Sequence, residues 1–449
     1  MHGHTTGMLL EPFARPPAGL RQWRRDLGGL YAANGLIGFI FAATGPVAVI
    51  LAVGIGGGLS EAEIASWIFG AFFLNGLLSI AACLLYRSPL VFFWTIPGTV
   101  LVGPALGHLR FAEVVGAFVA TGVLMLVLGL FGWVRRLMDA IPMAIVMGMV
   151  AGVFLRFGTD LVIAVRDAWL LAVPMIATFL LLSAWSAAGR RLPPLIGALV
   201  VGVLLVVAGV GATTVDAAAA NAAGSGGRWF AAPVFQAPEF SWQAMIELVV
   251  PLAITVLIVQ NGQGFAVLAA AGHRAPINAV TTASGALSIV TALVGTVSTC
   301  LTGPTNALIS SSGDRSRHYA AGVVVGLLAV VFGLLSPLFT RLLLATPPVF
   351  IATLAGLAML RVLQAAFVTA FKARFSLGAL VAFIVTVAGV PLASIGAAFW
   401  GLVFGFATSL LLERADFKAV AREAERAAGD VDREVDGCET IARGQLPGD

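Results

Sequence analysis

The 449-residue chain is 59% hydrophobic and 11% charged, far more apolar than a soluble domain tolerates. Its net charge of +4 comes from basic residues scattered between apolar stretches, with no basic stripe interleaved with aromatics, which excludes nucleic acid as a partner. The lipid bilayer is the solvent this composition implies.

Residues 1–29 have no continuous apolar core of signal-peptide type and read as a cytoplasmic N-terminal segment in which His2 and His4 are not a metal site. Apolar stretches follow near 31–53, 64–84, 92–107, 112–132, 141–165, 168–186 and 194–210, a first seven-span repeat over 30–210. Most are near 20 residues, long enough to cross about 30 Å of hydrocarbon as helices. The Ala, Gly and Pro-rich stretch 211–241 is the connector. A second repeat over 242–412 carries spans near 242–270, 276–297, 299–310, 319–340, 346–367, 375–390 and 392–412. Residues 413–449 are a charged cytoplasmic tail, a short helix at most and then disorder. Cys83 and Cys300 fall within spans and Cys438 in the tail, so no disulfide framework is implied.

If every span crosses, the N-terminal side collects Arg15, Arg21, Arg24, Arg25, Arg87, Arg135, Arg136, Arg190, Arg191, Arg274, Arg315, Arg317, Lys372 and Arg374, while the other side holds Arg110, Arg166, Arg228 and Arg341. Positive charge concentrates inside, so both termini are expected in the cytoplasm of a bacterial inner-membrane protein.

The third and tenth spans, FFWTIPGTVLVGPALG and TCLTGPTNALIS, are short, interrupted by Gly and Pro, and hold matching places in the two halves. Such a match points to inverted repeats whose broken helices form a midplane site. The expected fold is an all-α integral membrane protein of 14 segments, two inverted seven-segment repeats with broken third and tenth segments. Half-helices starting at Pro97 and Pro304 would turn free N–H groups and positive dipole ends into a cavity, suited to a carboxylate held between them. Thr95, Thr99, Thr302 and Thr305 either add donors there or bond back to their own turns.

Amides are costly in lipid without partners. Gln260, Asn261 and Gln263 of VQNGQGF, and Asn306 of the tenth span, are therefore helix glue or ligand contacts, with Gly262 and Gly264 favouring a cavity. Thr44, Gly45 and Pro46 lie at a comparable depth in the first span, with Phe41 one turn earlier, and Phe92, Phe93 and Trp94 offer aromatic walls. The candidate substrate contacts are thus Phe41, Thr44, Gly45, Trp94, Thr95, Gly98, Gln260, Asn261, Gln263, Thr302, Gly303, Thr305 and Asn306. Arg156 and Asp160 are spaced as a self-neutralising pair. Glu247, Glu113 and Arg361 are expected within reach of headgroups or water, and no histidine is expected inside a span. With no HExxH, Walker or GxSxG motif, no enzyme, cofactor or metal is implied.

The runs QNGQGFAVLAAAGHRAP (260–276), TGPTNALISSSGDRSRHYAAGV (302–323), LAGLAMLRVLQAAF (354–367) and IGAAFWGLVFG (395–405) resemble the benzoate/proton symporter family, BenE. The resemblance covers about residues 30–412 and implies the fold of nucleobase permeases and sulfate and bicarbonate transporters, with core and gate domains. It also implies proton-coupled uptake of benzoate or a similar aromatic carboxylate. Carried over position by position, the acidic residues of the permease pattern fall on Gln260 and Thr305, and neither is acidic. GPTNAL also departs from the family pattern. A passive anion channel or facilitator and a non-transporting ligand sensor stay open as alternatives, as does a homodimeric assembly.

Overall fold

The structure is a computed structural model in which residues 10–14, 16–134, 142–185, 192–210, 228–311, 313–372, 374–390, 392, 395–420 and 422 are described. Arg15, Arg135, Arg136, Arg190, Arg191, Cys438, the N-terminal histidines, most of the connector and most of the tail lie outside them.

Among the described residues, seven helices are long and apolar enough to cross a membrane: Gly29–Gly56, Glu61–Tyr86, Phe111–Leu130, Met143–Asp167, Trp242–Ala270, Arg315–Leu334 and Pro348–Phe371. They are the first, second, fourth, fifth, eighth, eleventh and twelfth spans. Shorter apolar helices supply the third (Ile96–Ala105), sixth (Trp169–Ala184), seventh (Pro194–Val207), ninth (Ile277–Ala292) and thirteenth (Ser376–Ala388). The tenth is the half-helix Gly303–Ile309. The fourteenth, Ala397–Leu412, is bent 87° from the tail helix Arg414–Val420. A helix with one strongly apolar face, Ser336–Leu344, links the eleventh and twelfth spans.

The spans sort into two bundles. In one, the fourth packs on the ninth and the second on the eleventh, with the first, eighth and both half-helices alongside; in the other, the fifth packs on the twelfth and thirteenth, the sixth on the seventh, and the thirteenth on the fourteenth. Exchanging each span with the one seven places away maps the fourth–ninth contact onto the second–eleventh contact, and the sixth–seventh onto the thirteenth–fourteenth. We call the bundles core and gate.

The broken spans meet in a two-stranded antiparallel ladder. Phe92–Trp94 (β1) pairs with Thr299–Leu301 (β2), in register Phe92 with Leu301, Phe93 with Cys300 and Trp94 with Thr299. Extended backbone inside a membrane survives only with every polar group satisfied, and the core supplies the partners. The Phe92 N–H donates to Ser79 Oγ of the second span at 2.8 Å, and the Thr299 N–H to Ser288 Oγ of the ninth at 2.9 Å, the same device in each half. The Thr95 N–H donates to the Ser298 carbonyl and the Thr302 N–H to the Val91 carbonyl, closing the ladder at both ends.

Three ionisable assignments change or hold. Arg156 pairs with Asp160 at 3.9 Å, as its spacing implies. Glu247 is not open to water: it is 6% exposed and contacts His108. His318 opens the eleventh-span helix and is buried, contrary to the expectation of no histidine in a span, because a 3-10 turn at Arg315–Arg317 carries the chain into the helix just before it.

Candidate functional site

The third-span half-helix is closed on itself. Thr95, buried, is its N-cap, and its Oγ1 accepts from the Gly98 N–H at 3.1 Å. Thr99 Oγ1 donates back to the Thr95 carbonyl at 2.9 Å. A β-carbon on Gly98 would collide with Thr95, so glycine lets the cap close. Trp94 is buried between Phe72 and Phe93, ring centroids 5.1 and 5.8 Å away, and its Nε1 has no hydrogen-bond partner.

The first span breaks at Thr44, whose hydroxyl bonds back to the carbonyls of Ile40 and Phe41 at 2.9 and 3.2 Å. Gly45 restarts the helix where a β-carbon would strike Ala358 of the twelfth span. Gly45 is therefore the place where core meets gate. Phe41 is half-buried one turn before.

The tenth span differs. Its helix is seven residues long, and Thr302 provides no side-chain cap; at under two turns it contributes little dipole, which weakens the expected pairing of two helix ends around a carboxylate. Asn306 is committed to the ladder: its Oδ1 accepts from the Val91 N–H at 3.0 Å, and its Nδ2 donates to the carbonyls of Val91 at 3.1 Å and Thr302 at 2.7 Å. Asn261 is committed too, its Oδ1 accepting from the Leu301 N–H at 2.7 Å. These carboxamides hold strands. Thr305 Oγ1 is buried without a partner, as are Asn261 Nδ2 and Thr299 Oγ1. Gln263 is exposed and lies across Gly303, where a β-carbon would meet its side chain. Gln260 is 7% exposed.

Gln260 and Asn261 end a π-helical stretch of the eighth span, Thr255–Asn261, a distortion common at functional positions. The stretch packs on β2 and on the fifth span. At its other end Thr255 joins Pro97 and Leu101 of the third span and Met149, Val150, Val153 and Phe154 of the fifth in an apolar seam with no room for a water-sized body. The fifth-span residues were invisible to motif reading because an apolar gate face looks like any other lipid-buried helix.

Sequence reasoning also missed two titratable pairs outside this cluster. His108 Nε2 lies 2.9 Å from Glu247 Oε2. In the turn after the eighth span, His273 Nε2 lies 3.1 Å from His318 Nδ1, and burial, then His318 and Arg315, push His273 down to about 4.

The sequence profile described as BenE, benzoate membrane transport protein, matches residues 30–411. The chain belongs to the BenE family. The inner membrane protein YdcO of Escherichia coli (strain K12) is 30% identical over 397 residues, covering 88% of this chain and 95% of its own length. The benzoate membrane transport protein of Acinetobacter baylyi (strain ATCC 33305 / BD413 / ADP1) is 24% identical over 402 residues, 88% of this chain and 98% of its own. Among solved structures, the transmembrane domain of the cyanobacterium bicarbonate transporter BicA superposes with a TM-score of 0.54 at 15% identity, over 87% of this chain and 98% of that one. Murine Slc26a9, an anion transporter in its inward-facing state, gives 0.53 at 14% identity, over 86% and 68%. As a BenE member with this fold, the chain is a multi-pass membrane transporter and not an enzyme.

Proposed function

We propose that this BenE member takes up a small aromatic carboxylate, benzoate or a close relative, across the bacterial inner membrane with both termini cytoplasmic, and that protons drive accumulation. The observation that carries the reading is the division of labour across the broken helices. On the tenth-span side, Thr305 holds a buried hydroxyl without a partner, and Gln260 and Gln263 lie on the neighbouring eighth span. On the third-span side the hydroxyls are already bonded and the wall is apolar, from Pro97 to Phe154. A ligand with one polar end and one flat apolar end matches that asymmetry, and the relative from Acinetobacter baylyi is named for benzoate.

Because the seam admits no water-sized body, the ligand enters only when the gate moves off the core. The test is uptake of labelled benzoate by vesicles containing the purified chain, with and without an imposed pH gradient, together with counterflow. Accumulation above equilibrium that needs the gradient is the expected result. Equilibration unaffected by the gradient indicates a facilitator, a reading that the amide and hydroxyl at Gln260 and Thr305 favour since neither ionises. Binding without counterflow indicates a sensor.

A further inference from the structure

If protons drive this transporter, as the reading above holds, either the substrate's own carboxyl carries them or a titratable group that touches both bundles does, and the candidate site contains none. Glu247 is the only Asp, Glu, Lys, Arg or His in the eighth span. It sits in a second π-helical stretch, Met245–Val249, one turn before the apolar run that leads to Gln260. One carboxylate oxygen, Oε2, meets His108 Nε2 at 2.9 Å in the turn that follows the third-span half-helix. The other, Oε1, lies against Gly396, so close that a β-carbon there would collide with it. Gly396 is the N-cap residue of the fourteenth span and has no side-chain cap of its own. One buried carboxylate therefore touches a core turn on one flank and the start of a gate helix on the other. The carboxylate is buried while the imidazole is 35% exposed.

We propose that Glu247 and His108 form a proton-binding site whose occupancy decides whether the eighth span holds the fourteenth. With the carboxylate ionised, His108 donates to it and the N-terminus of the 16-residue fourteenth span faces an anion, which favours contact. Protonating Glu247 removes that charge, weakens the bond from His108 and leaves a carboxyl group pressed on Gly396 with less to hold it. The gate helix is then free to move away from the core. Other charged groups on the elements packed around Glu247 are engaged with one another: Arg110, preceding the fourth span, pairs with Glu113 of that span and with Glu239 of the connector. The fourteenth span, 397–412, contributes no ionisable side chain.

The test reads the latch without substrate. Spin labels on Trp242→Cys and Leu392→Cys, both exposed, report the separation of the eighth span from the approach to the fourteenth by pulsed electron resonance in the full-length chain with Cys438→Ser, in nanodiscs. The ratio of long to short distances should rise as pH falls, by at most about tenfold per pH unit for a one-proton link. Glu247→Gln should hold the long distance at every pH. His108→Gln, which replaces the imidazole by an amide that can donate but cannot ionise, should change the pH profile of the distance and serves as the second variant if Glu247→Gln fails to fold. A wild-type distance that ignores pH, or a Glu247→Gln or His108→Gln profile equal to wild type, overturns the proposal. Vesicle uptake judges the transport reading separately. There, Glu247→Gln should lose gradient-driven accumulation while retaining counterflow, and accumulation at the wild-type level would refute the role of the pair in coupling.

Discussion

The third and tenth spans are built alike and used differently. Each enters as a three-residue strand, each strand has an N–H caught by a serine of the preceding span, and each turns into a helix with proline in its first turn. The third-span helix runs ten residues and is capped by Thr95; the tenth runs seven, is uncapped, and is held instead by Asn306 gripping the chain just before β1. In the third span both threonine hydroxyls are bonded to their own backbone while Trp94 Nε1 has no partner, and in the tenth the hydroxyls of Thr299 and Thr305 are both buried without one. The two spans thus differ in how their polar groups are engaged. Under the proposed function, that difference, rather than the shared broken helix, is what would recognise an amphiphilic anion.

The comparison breaks most visibly at Asn306. Its carboxamide makes three hydrogen bonds, two to Val91 and one to Thr302. At about 1 kcal/mol net for each bond, Asn306→Ala should destabilise the protein by about 3 kcal/mol. Thermal unfolding in detergent checks this, and an unchanged midpoint would show that the clamp is dispensable. The effect should be on stability before it is on affinity, since both N–H donors and one lone pair of the oxygen are already engaged.

Thr95→Ala comes next. It removes the cap of the third-span helix and should cost about 1 kcal/mol, the usual value of such a cap, while uptake by the surviving folded protein changes little. The corresponding change in the tenth span, Thr302→Ala, should cost less because Thr302 caps nothing with its side chain. Equal losses in the two variants would erase the distinction between the spans.

Much of this architecture is legible in the sequence, because hydropathy and the paired Gly-Pro interruptions report directly on lipid and on broken helices. Pro97 and Pro304 mark the first turns of both half-helices. What the sequence does not reveal is which polar groups are already engaged. Asn261, Asn306 and Thr305 are equivalent as letters in an apolar run, and only tertiary geometry commits Asn306 and the Oδ1 of Asn261 to strands while leaving Asn261 Nδ2 and Thr305 Oγ1 without a partner. Glu247 was similarly misjudged. Position near a span end suggests access to water, yet a π-helical turn and the missing side chain of Gly396 bury the carboxylate between two bundles. The fifth-span wall of the seam carries no polar marker at all.

The smallest expected effect on stability is also the sharpest test of the tenth span. Thr305 Oγ1 is buried with no partner, so the folded protein already bears the cost of an unsatisfied hydroxyl. Replacing it with the isosteric valine removes that cost while keeping the methyl that packs toward Gly38, and replacing an unpaired polar group by an apolar one of the same shape is nearly neutral or stabilising. Thermal stability of Thr305→Val should therefore equal or slightly exceed that of the wild type. If the hydroxyl is unpaired because it awaits a carboxylate, the same variant should bind benzoate more weakly by roughly 1 to 3 kcal/mol, about a 5- to 150-fold loss in affinity. Titration calorimetry beside a melting curve separates the two quantities. A variant that is more stable and binds as well as wild type would place the ligand elsewhere, and the asymmetry between the third and tenth spans would then be a matter of packing alone.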